Sequence, residues 1–247
     1  MQIKTFNSLS KNEAHQLGLI VLQSDITIED EFRYFLDGLP ISLLVNRIPF
    51  ENEVTIDTLQ AMEQHIETSM SLFPIDAEFD VLGYGCTSGA LHIGDASISN
   101  LVQNSRQCSY VSNPMQAAVA SFHALEAKNI AYLAPYSEQV SQSMVDKIEQ
   151  HGVTVTTAAT FNEHQDKEVG RIAPESIKQA CIELAKESNV DAIFVACTNM
   201  KCASIIPEVE QQTGIATLSS NQALAWHMLK HTGCAMPQNK GRLFACQ

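Results

Sequence analysis

Two short stretches of this 247-residue chain hold residue types able to do covalent or proton-transfer chemistry. The first is Val81-Leu82-Gly83-Tyr84-Gly85-Cys86-Thr87-Ser88-Gly89, an apolar run ending in glycines, a thiol and two hydroxyls. The second is Ile193-Phe194-Val195-Ala196-Cys197-Thr198-Asn199-Met200, a buried-strand pattern that also ends in Cys-Thr and a further donor. In open α/β sheets, ligands bind outside the carboxyl ends of the strands. Glycines there let backbone N–H groups approach an anion, and Thr87, Ser88, Thr198 and Asn199 supply additional donors. A cysteine among such donors, near a helix N-terminus, is expected to have a lowered pKa and an available thiolate. The competing reading is a tight turn around a packed thiol, because free cysteine is most often a small buried hydrophobe. Two strand-end cysteines, each followed by threonine, favour a working pair. One acts as nucleophile or base on one face of a substrate, and the other donates a proton from the opposite face.

Three further residues are placed by the same strand-end logic. Gln23-Ser24-Asp25 follows the run Leu17–Leu22, so Asp25 either accepts a proton or orients a thiol, or it caps the helix that follows, with Glu29 nearby. Ala134-Pro135-Tyr136-Ser137 ends another run, and Tyr136 is a candidate donor to a substrate carboxylate. Arg47, after the second strand, is a candidate anion clamp in a chain with only 15 lysines and arginines, although a surface ion pair is the commoner fate of such a residue.

The other cysteines, Cys108, Cys181, Cys202, Cys234 and Cys246, read as packing residues, Cys202 included despite its closeness to Cys197. His92, near the first motif, reads as a surface or packing histidine. Seven cysteines is an odd count without Cys-x-x-Cys spacing, which predicts free thiols in a reducing, cytoplasmic setting and neither a disulfide framework nor a zinc site. No metal ligand set and no cofactor motif is visible: no Gly-x-Gly-x-x-Gly follows the first strand, and no phosphate-binding P-loop occurs. A net charge of -13 argues against nucleic-acid or anionic-membrane binding through a general basic surface. Met1 to Lys11 lacks the apolar core of a secretory signal, and no apolar run approaches the roughly 18–20 residues that span a bilayer.

The elements that must position these residues alternate in type. Strands are predicted over Leu17–Leu22, Ile41–Asn46, Val81–Tyr84, Ile130–Ala134, Val153–Ala158, Ala192–Ala196 and Ala216–Leu218. Helices are predicted over Ile28–Leu36, Ile56–Leu72, Pro114–Lys128, Glu138–His151, Pro174–Glu187 and Asn221–His231. Such alternation predicts an α/β fold of parallel sheets covered by helices on both faces. The Cys-Thr motif recurs at the same point of each half, which divides the chain into subdomains 1–113 and 114–220, with 221–247 packing back on the first.

Five stretches together resemble the aspartate/glutamate racemase superfamily, in its branch of maleate cis–trans isomerases and arylmalonate decarboxylases. They are Gly18-Leu19-Ile20-Val21, Tyr84-Gly85-Cys86-Thr87-Ser88-Gly89, Ala134-Pro135-Tyr136, Glu168-Val169-Gly170-Arg171-Ile172 and Ala196-Cys197-Thr198-Asn199. The resemblance implies two pseudo-symmetric α/β subdomains with the active site in the cleft between them. In maleate isomerases, the cysteine matching Cys86 adds to the alkene and the one matching Cys197 protonates the adjacent carbon. In the racemases, two thiols exchange the proton of one α-carbon from opposite faces. Thr87, Ser88 and Tyr136 match groups that hold a substrate carboxylate. The decarboxylases normally have glycine where Cys86 stands.

The chain departs from the isomerases at Asp25 and Asp166, which align with asparagines that help bind the diacid. Two aspartates repel a dicarboxylate unless one is protonated or faces a basic group. An acid at Asp25 is more similar to the amino-acid racemases, where it serves a cysteine base and tolerates a substrate ammonium. The expectation is a cofactor-independent two-cysteine isomerase or racemase acting on a small carboxylate or amino acid. The alternatives are an arylmalonate-type decarboxylase with Cys197 as sole proton donor, and a non-catalytic small-carboxylate binder. Racemase relatives are often dimers, so a homodimer is also an expectation of the resemblance.

Overall fold

Each apolar run read from the sequence becomes a strand, and every strand pairing within a sheet is parallel. The computed structural model describes residues 3–5, 14–187 and 189–246. The reading of Met1 to Lys11 therefore lies outside the described residues, apart from 3–5.

The first half runs β1 (His15–Leu22), α1 (Ile28–Leu36), β2 (Ile41–Ile48), α2 (Ile56–Ala61), α3 (Ile66–Ser71), β3 (Phe79–Gly85), α4 (Thr87–Ile93), α5 (Asp95–Ser105) and β4 (Cys108–Ser112). The helix α6 (Pro114–Ala124) leads into β5 (Asn129–Ala134), α7 (Glu138–Glu149), β6 (Thr154–Thr160), α8 (Asp166–Val169), α9 (Pro174–Leu184), β7 (Ala192–Val195), α10 (Ile206–Thr213), β8 (Ala216–Ser219) and α11 (Ser220–Thr232). A 3-10 turn, Met62–His65, joins α2 to α3, and another, Arg242–Ala245, closes the chain.

The strands form two four-stranded sheets of the same order, β2-β1-β3-β4 and β6-β5-β7-β8. Strand order alone makes β3 the counterpart of β7, and β1 the counterpart of β5. The inner strands are unbroken apolar runs, because helices cover both faces: Leu17, Leu19, Ile20 and Val21 in β1 and Ala192–Val195 in β7 are fully buried. The edge strand β6 alternates exposed and half-buried residues, as expected where one side stays wet.

Helix α11 packs on α6, β3, β4 and α1 of the first half and also touches β8. Its approach to β3 is close: a Cβ at Gly83 would lie 2.7 Å from the Met228 sulfur. Helix α6 is shared, packing on β3, α4 and α11 while Phe122 meets Phe194 of β7 edge-on at 5.4 Å.

Several elements escape the periodicity reading. Strand β4 is five residues, Cys-Ser-Tyr-Val-Ser, with little apolar run. Helix α4 starts inside the glycine motif, where Thr87-Ser88-Gly89 are weak helix formers. Helix α5 buries only Ile98 and Val102, and α10 is a short segment ended by Gly214 at φ 75°. The predicted helix Ile56–Leu72 is interrupted by the 3-10 turn at Met62–His65.

Candidate active site

The two cysteines stand at equivalent strand ends. Strand β3 ends at Gly85, and Cys86 caps α4 from an extended conformation, with its sulfur accepting the Gly89 N–H at 3.3 Å. The Ser88 Oγ lies 3.9 Å from that sulfur. Gly89 is needed here: a Cβ would sit 3.0 Å from the Cys86 sulfur and 3.1 Å from the Tyr84 hydroxyl. Strand β7 ends at Val195, and the chain turns through Cys197, whose sulfur accepts the Asn199 N–H at 3.4 Å. The two ends meet, since Thr198 Oγ1 donates to the Gly85 carbonyl at 3.3 Å. Tyr136, after β5, feels the charge of both sulfurs and turns its hydroxyl to Cys197. Cys86 is 5% exposed and Cys197 3%.

Two acids complete the cluster. Asp25 Oδ1 accepts the N–H groups of Thr27 at 2.8 Å and Ile28 at 2.9 Å, which braces the start of α1. Its Oδ2 is buried with no hydrogen-bond partner among the described residues. The Thr198 hydroxyl lies beside this carboxylate, but its proton goes to Gly85. One oxygen of Asp25 thus serves the start of α1, and the other is left without a partner among the described residues. Asp166 opens α8, and its Oδ2 accepts from Ser24 Oγ at 2.5 Å and Asn199 Nδ2 at 3.2 Å.

The loops that carry these groups are laced across the halves. Asn199 Oδ1 accepts the Ile26 N–H at 3.0 Å, Nδ2 donates to the Asp166 carbonyl at 2.8 Å, and Thr27 Oγ1 donates to the Asn199 carbonyl at 3.0 Å. The loops after β2 and β6 pair too, through Val54 N–H on the His164 carbonyl and Asp166 N–H on the Asn52 carbonyl, both at 3.0 Å.

The electrostatics overturn one expectation. The motif predicts a lowered thiol pKa, yet burial pushes Cys86 up to about 12, and the Asp166 and Asp25 charges add to that rise. The Gly89 N–H and Ser88 hydroxyl offset only part of it. Cys197 is driven well above the usual thiol range by burial and then by the same two acids, against the Tyr136 hydroxyl and the Asn199 N–H. Desolvation outweighs the donors because both sulfurs are almost sealed. Burial likewise raises Asp25 to about 6 and lifts Asp166 above the ordinary carboxyl range. Both sulfurs are thus held as thiols, and Tyr136, raised well above its usual range by burial, stays a neutral hydroxyl donor to Cys197.

The remaining sequence-predicted residues are placed differently. Arg47 lies behind the site: Nη1 donates to the carbonyls of Leu22 and Asp25, each at 2.8 Å, and Nη2 pairs with Glu29. Its guanidinium braces the Asp25 loop, so the ion-pair alternative describes it and it is not a free anion clamp. Thr87 Oγ1 donates to Ser220 Oγ at 2.8 Å, which fastens α4 to α11. His92 has a buried Nε2 without a hydrogen-bond partner among the described residues and no contact with either thiol is recorded for it.

Sequence reasoning passed over Glu31, Asn221 and the role of Ser24. Glu31 was visible in principle, because Ile28, Glu31, Phe32 and Phe35 share the buried face of α1, and an acid on an apolar stripe needs a partner.

The sequence profile of the arylmalonate decarboxylase family matches residues 80–244. A maleate isomerase of Geobacillus stearothermophilus is 26% identical over 232 residues, covering 87% of this chain and 90% of that one. A maleate isomerase of Nocardia farcinica is 26% identical over 226 residues, covering 87% and 89%. The solved structure of a Nocardia farcinica maleate cis-trans isomerase cysteine-to-serine mutant, with a covalently bound succinylcysteine intermediate, superposes with a TM-score of 0.85. At 24% identity over 94% of this chain and 98% of that one, this likeness shows the fold.

Proposed function

The chain belongs to the arylmalonate decarboxylase family, and on that premise we propose that it is a cofactor-independent isomerase of a small carboxylate, working through Cys86 and Cys197. The observation that carries the reading is the pair of strand-end thiols tied together by the Thr198–Gly85 hydrogen bond, with the Tyr136 hydroxyl on Cys197. A pair of this kind works on two faces of one small molecule. The maleate isomerases it resembles, and the succinylcysteine intermediate of the Nocardia enzyme, support the addition route.

In that route the Cys86 proton passes to a neighbouring acid as the sulfur bonds to one alkene carbon. The Cys197 thiol protonates the adjacent carbon, so the double bond becomes single and free to rotate. Cys197 then takes a proton back, the carbon–sulfur bond breaks, and Cys86 recovers its proton. Tyr136 and Ser88 are the groups we assign to the substrate's carboxylate, with Thr87, Thr198, Asn199 and Arg47 bracing the loops around them. A decarboxylase needs only one thiol, and two are present here.

A second reading is favoured by one observation. The free Oδ2 of Asp25, beside Asp166, faces no side-chain cation among the described residues. A substrate carrying an ammonium group suits that corner better than a second carboxylate does, which leads to racemisation at the α-carbon by the same two thiols.

The test is proton exchange. Maleate and a panel of small amino acids are incubated with the protein in deuterium oxide. Solvent deuterium enters substrate or product, and Cys86→Ser and Cys197→Ser each abolish the exchange. Exchange that survives either change, or none with any acid, sinks the two-thiol reading. Seven free thiols support a cytoplasmic location for this activity. Among the described residues no helix is long and apolar enough to cross a membrane.

A further inference from the structure

A third buried acid lies outside the thiol pocket. Glu31 of α1 is 6% exposed, and its partners are all donors from the other side of the site. Oε1 accepts the N–H groups of Cys202 at 2.5 Å and Ala203 at 2.6 Å, in the loop that runs from Cys197 to α10. Oε2 accepts from Asn221 Nδ2 at 2.9 Å, and that same nitrogen donates to the carbonyl of Thr198 at 2.7 Å. The loop carrying Cys197 is thus gripped at Thr198, Cys202 and Ala203, and all three grips converge on one carboxylate. Removing an acceptor from buried donors is more damaging than never having had the pair, because the donors are left dry and unpaired.

We infer that Glu31 is a positioning residue for Cys197: through Cys202, Ala203 and Asn221 it fixes the loop that holds this sulfur opposite Cys86. The inference rests on the two-thiol reading for its catalytic meaning, though the tether itself does not. Asn221 shows how the grip fails. Its Oδ1 is buried without a partner among the described residues. If Oε2 of Glu31 gains a proton, it becomes a donor facing a donor. The Asn221 amide then turns to offer Oδ1, and Nδ2 abandons the Thr198 carbonyl next to Cys197. Charged and titratable groups facing Glu31 are Asp25 from the β1–α1 loop and the Cys202 thiol, and burial raises the Glu31 carboxyl to about 7, so this exchange falls near neutral pH.

The test is labelling of the full-length protein with N-ethylmaleimide, read thiol by thiol by peptide mass spectrometry. Cys86 and Cys181 are buried controls. In the wild type the ratio of Cys197 to Cys86 labelling is expected to rise as pH falls from about 8 to about 6, while thiol ionisation cancels in the ratio. In Glu31→Gln, Oε1 still serves two N–H groups but the amide nitrogen turns Asn221 away. The ratio is then about fivefold higher at pH about 8 and no longer depends on pH. Asn221→Ala, which releases Thr198 without touching Glu31, gives the same selective rise and decides the matter should Glu31→Gln not fold. An unchanged ratio in the folded variants, a retained pH slope in Glu31→Gln, or a parallel rise at Cys181 overturns the inference. Labelling needs no turnover, so its outcome is separable from that of the exchange experiment.

Discussion

Thr198 gives its hydroxyl proton to the carbonyl of Gly85 across 3.3 Å. Thr198 follows Cys197 and Gly85 precedes Cys86. Each sulfur is also held by a local backbone N–H, Gly89 for Cys86 and Asn199 for Cys197. The strand ends that carry the two sulfurs are therefore tied by the Thr198 side chain, within the wider lacing of the loops by Asn199 and Thr27.

That cross-link is directly testable. Thr198→Val keeps the shape and removes the hydroxyl. Leaving the Gly85 carbonyl dry costs about 1–3 kcal/mol, and the strand ends are free to part. Thermal unfolding is expected to drop by several degrees, with turnover reduced about tenfold, more than a stability loss alone produces in a protein still fully folded at assay temperature. Unchanged turnover at a lowered melting temperature would reduce the bond to a structural role.

The thiols themselves are expected to be unequal to serine. Cys86→Ser and Cys197→Ser each lower turnover by about a thousandfold, since a hydroxyl is a poor nucleophile and a poor proton donor at neutral pH. Circular dichroism and melting temperature stay near wild type, because the swap is nearly isosteric. An arylmalonate-type decarboxylase would behave otherwise, tolerating change at Cys86 but not at Cys197. Measuring carbon dioxide release from an arylmalonate with both variants separates the two chemistries.

Much of the fold was legible because parallel strands under two helical layers leave continuous apolar runs, such as Leu17–Leu22 and Ala192–Val195. The strand-end position of Cys86 and Cys197 followed from those runs. What was not legible depends on tertiary neighbours. Helix α4 is built from poor helix formers and exists because Cys86 caps it and α2 and α6 pack on it. The thiol pKa values went the wrong way because burial, invisible in a motif, outweighs the donors that the motif does show. Arg47 was placed at the right strand end, but its direction was set by the Leu22 and Asp25 carbonyls and Glu29. Of the two readings of Asp25, the one that braces the start of the next helix is visible, through Oδ1 and the Thr27 and Ile28 N–H groups.

Gly89 offers a packing test of the first thiol. In Gly89→Ala the new methyl runs into the Met62 Cε, which must swing aside, and lies 3.0 Å from the Cys86 sulfur, a tight contact that needs the sulfur to give by a few tenths of an ångström. Alanine also favours helix by about 1 kcal/mol over glycine, which offsets the strain. The expected result is a melting temperature within a few degrees of wild type and turnover lowered about tenfold or more. Wild-type activity in this variant would show that the Cys86 sulfur has no fixed place to lose.

Asp25 imposes a pH signature on stability. Its carboxyl ordinarily titrates near 3.8 and is raised to about 6 in the folded protein, chiefly by burial. A raised acid binds more protons folded than unfolded, so stability falls as pH climbs from about 4 to about 6, and the full cost of about 3 kcal/mol is present above that. Asp25→Asn removes this charge while keeping Oδ1 for the Thr27 and Ile28 N–H groups. Urea unfolding should find the variant level with wild type near pH about 4 and more stable by up to about 3 kcal/mol near pH about 8. A difference that does not vary with pH would mean the carboxyl titrates normally.

The two acids also bear on which substrate the thiols meet. With Asp25 and Asp166 ionised, a dicarboxylate bound at the two thiols would bring two more negative charges beside the two already there. Like charges in a dry site repel strongly, and the repulsion is relieved by protonation, by a cation, or by changing the acid. Asp25→Asn with Asp166→Asn keeps the hydrogen-bonding shape, since Ser24 and Asn199 can still meet an amide oxygen at position 166. The double variant is expected to bind a dicarboxylate such as maleate at least about tenfold more tightly than wild type at pH about 8, by calorimetry. The gap should narrow toward pH about 5, where Asp25 of the wild type is largely protonated. Binding of an ammonium-bearing acid should move in the opposite direction. If the wild type already holds maleate as tightly as the double variant at high pH, the acids do not face the ligand, and the charge argument for substrate choice fails while the thiol pair is untouched.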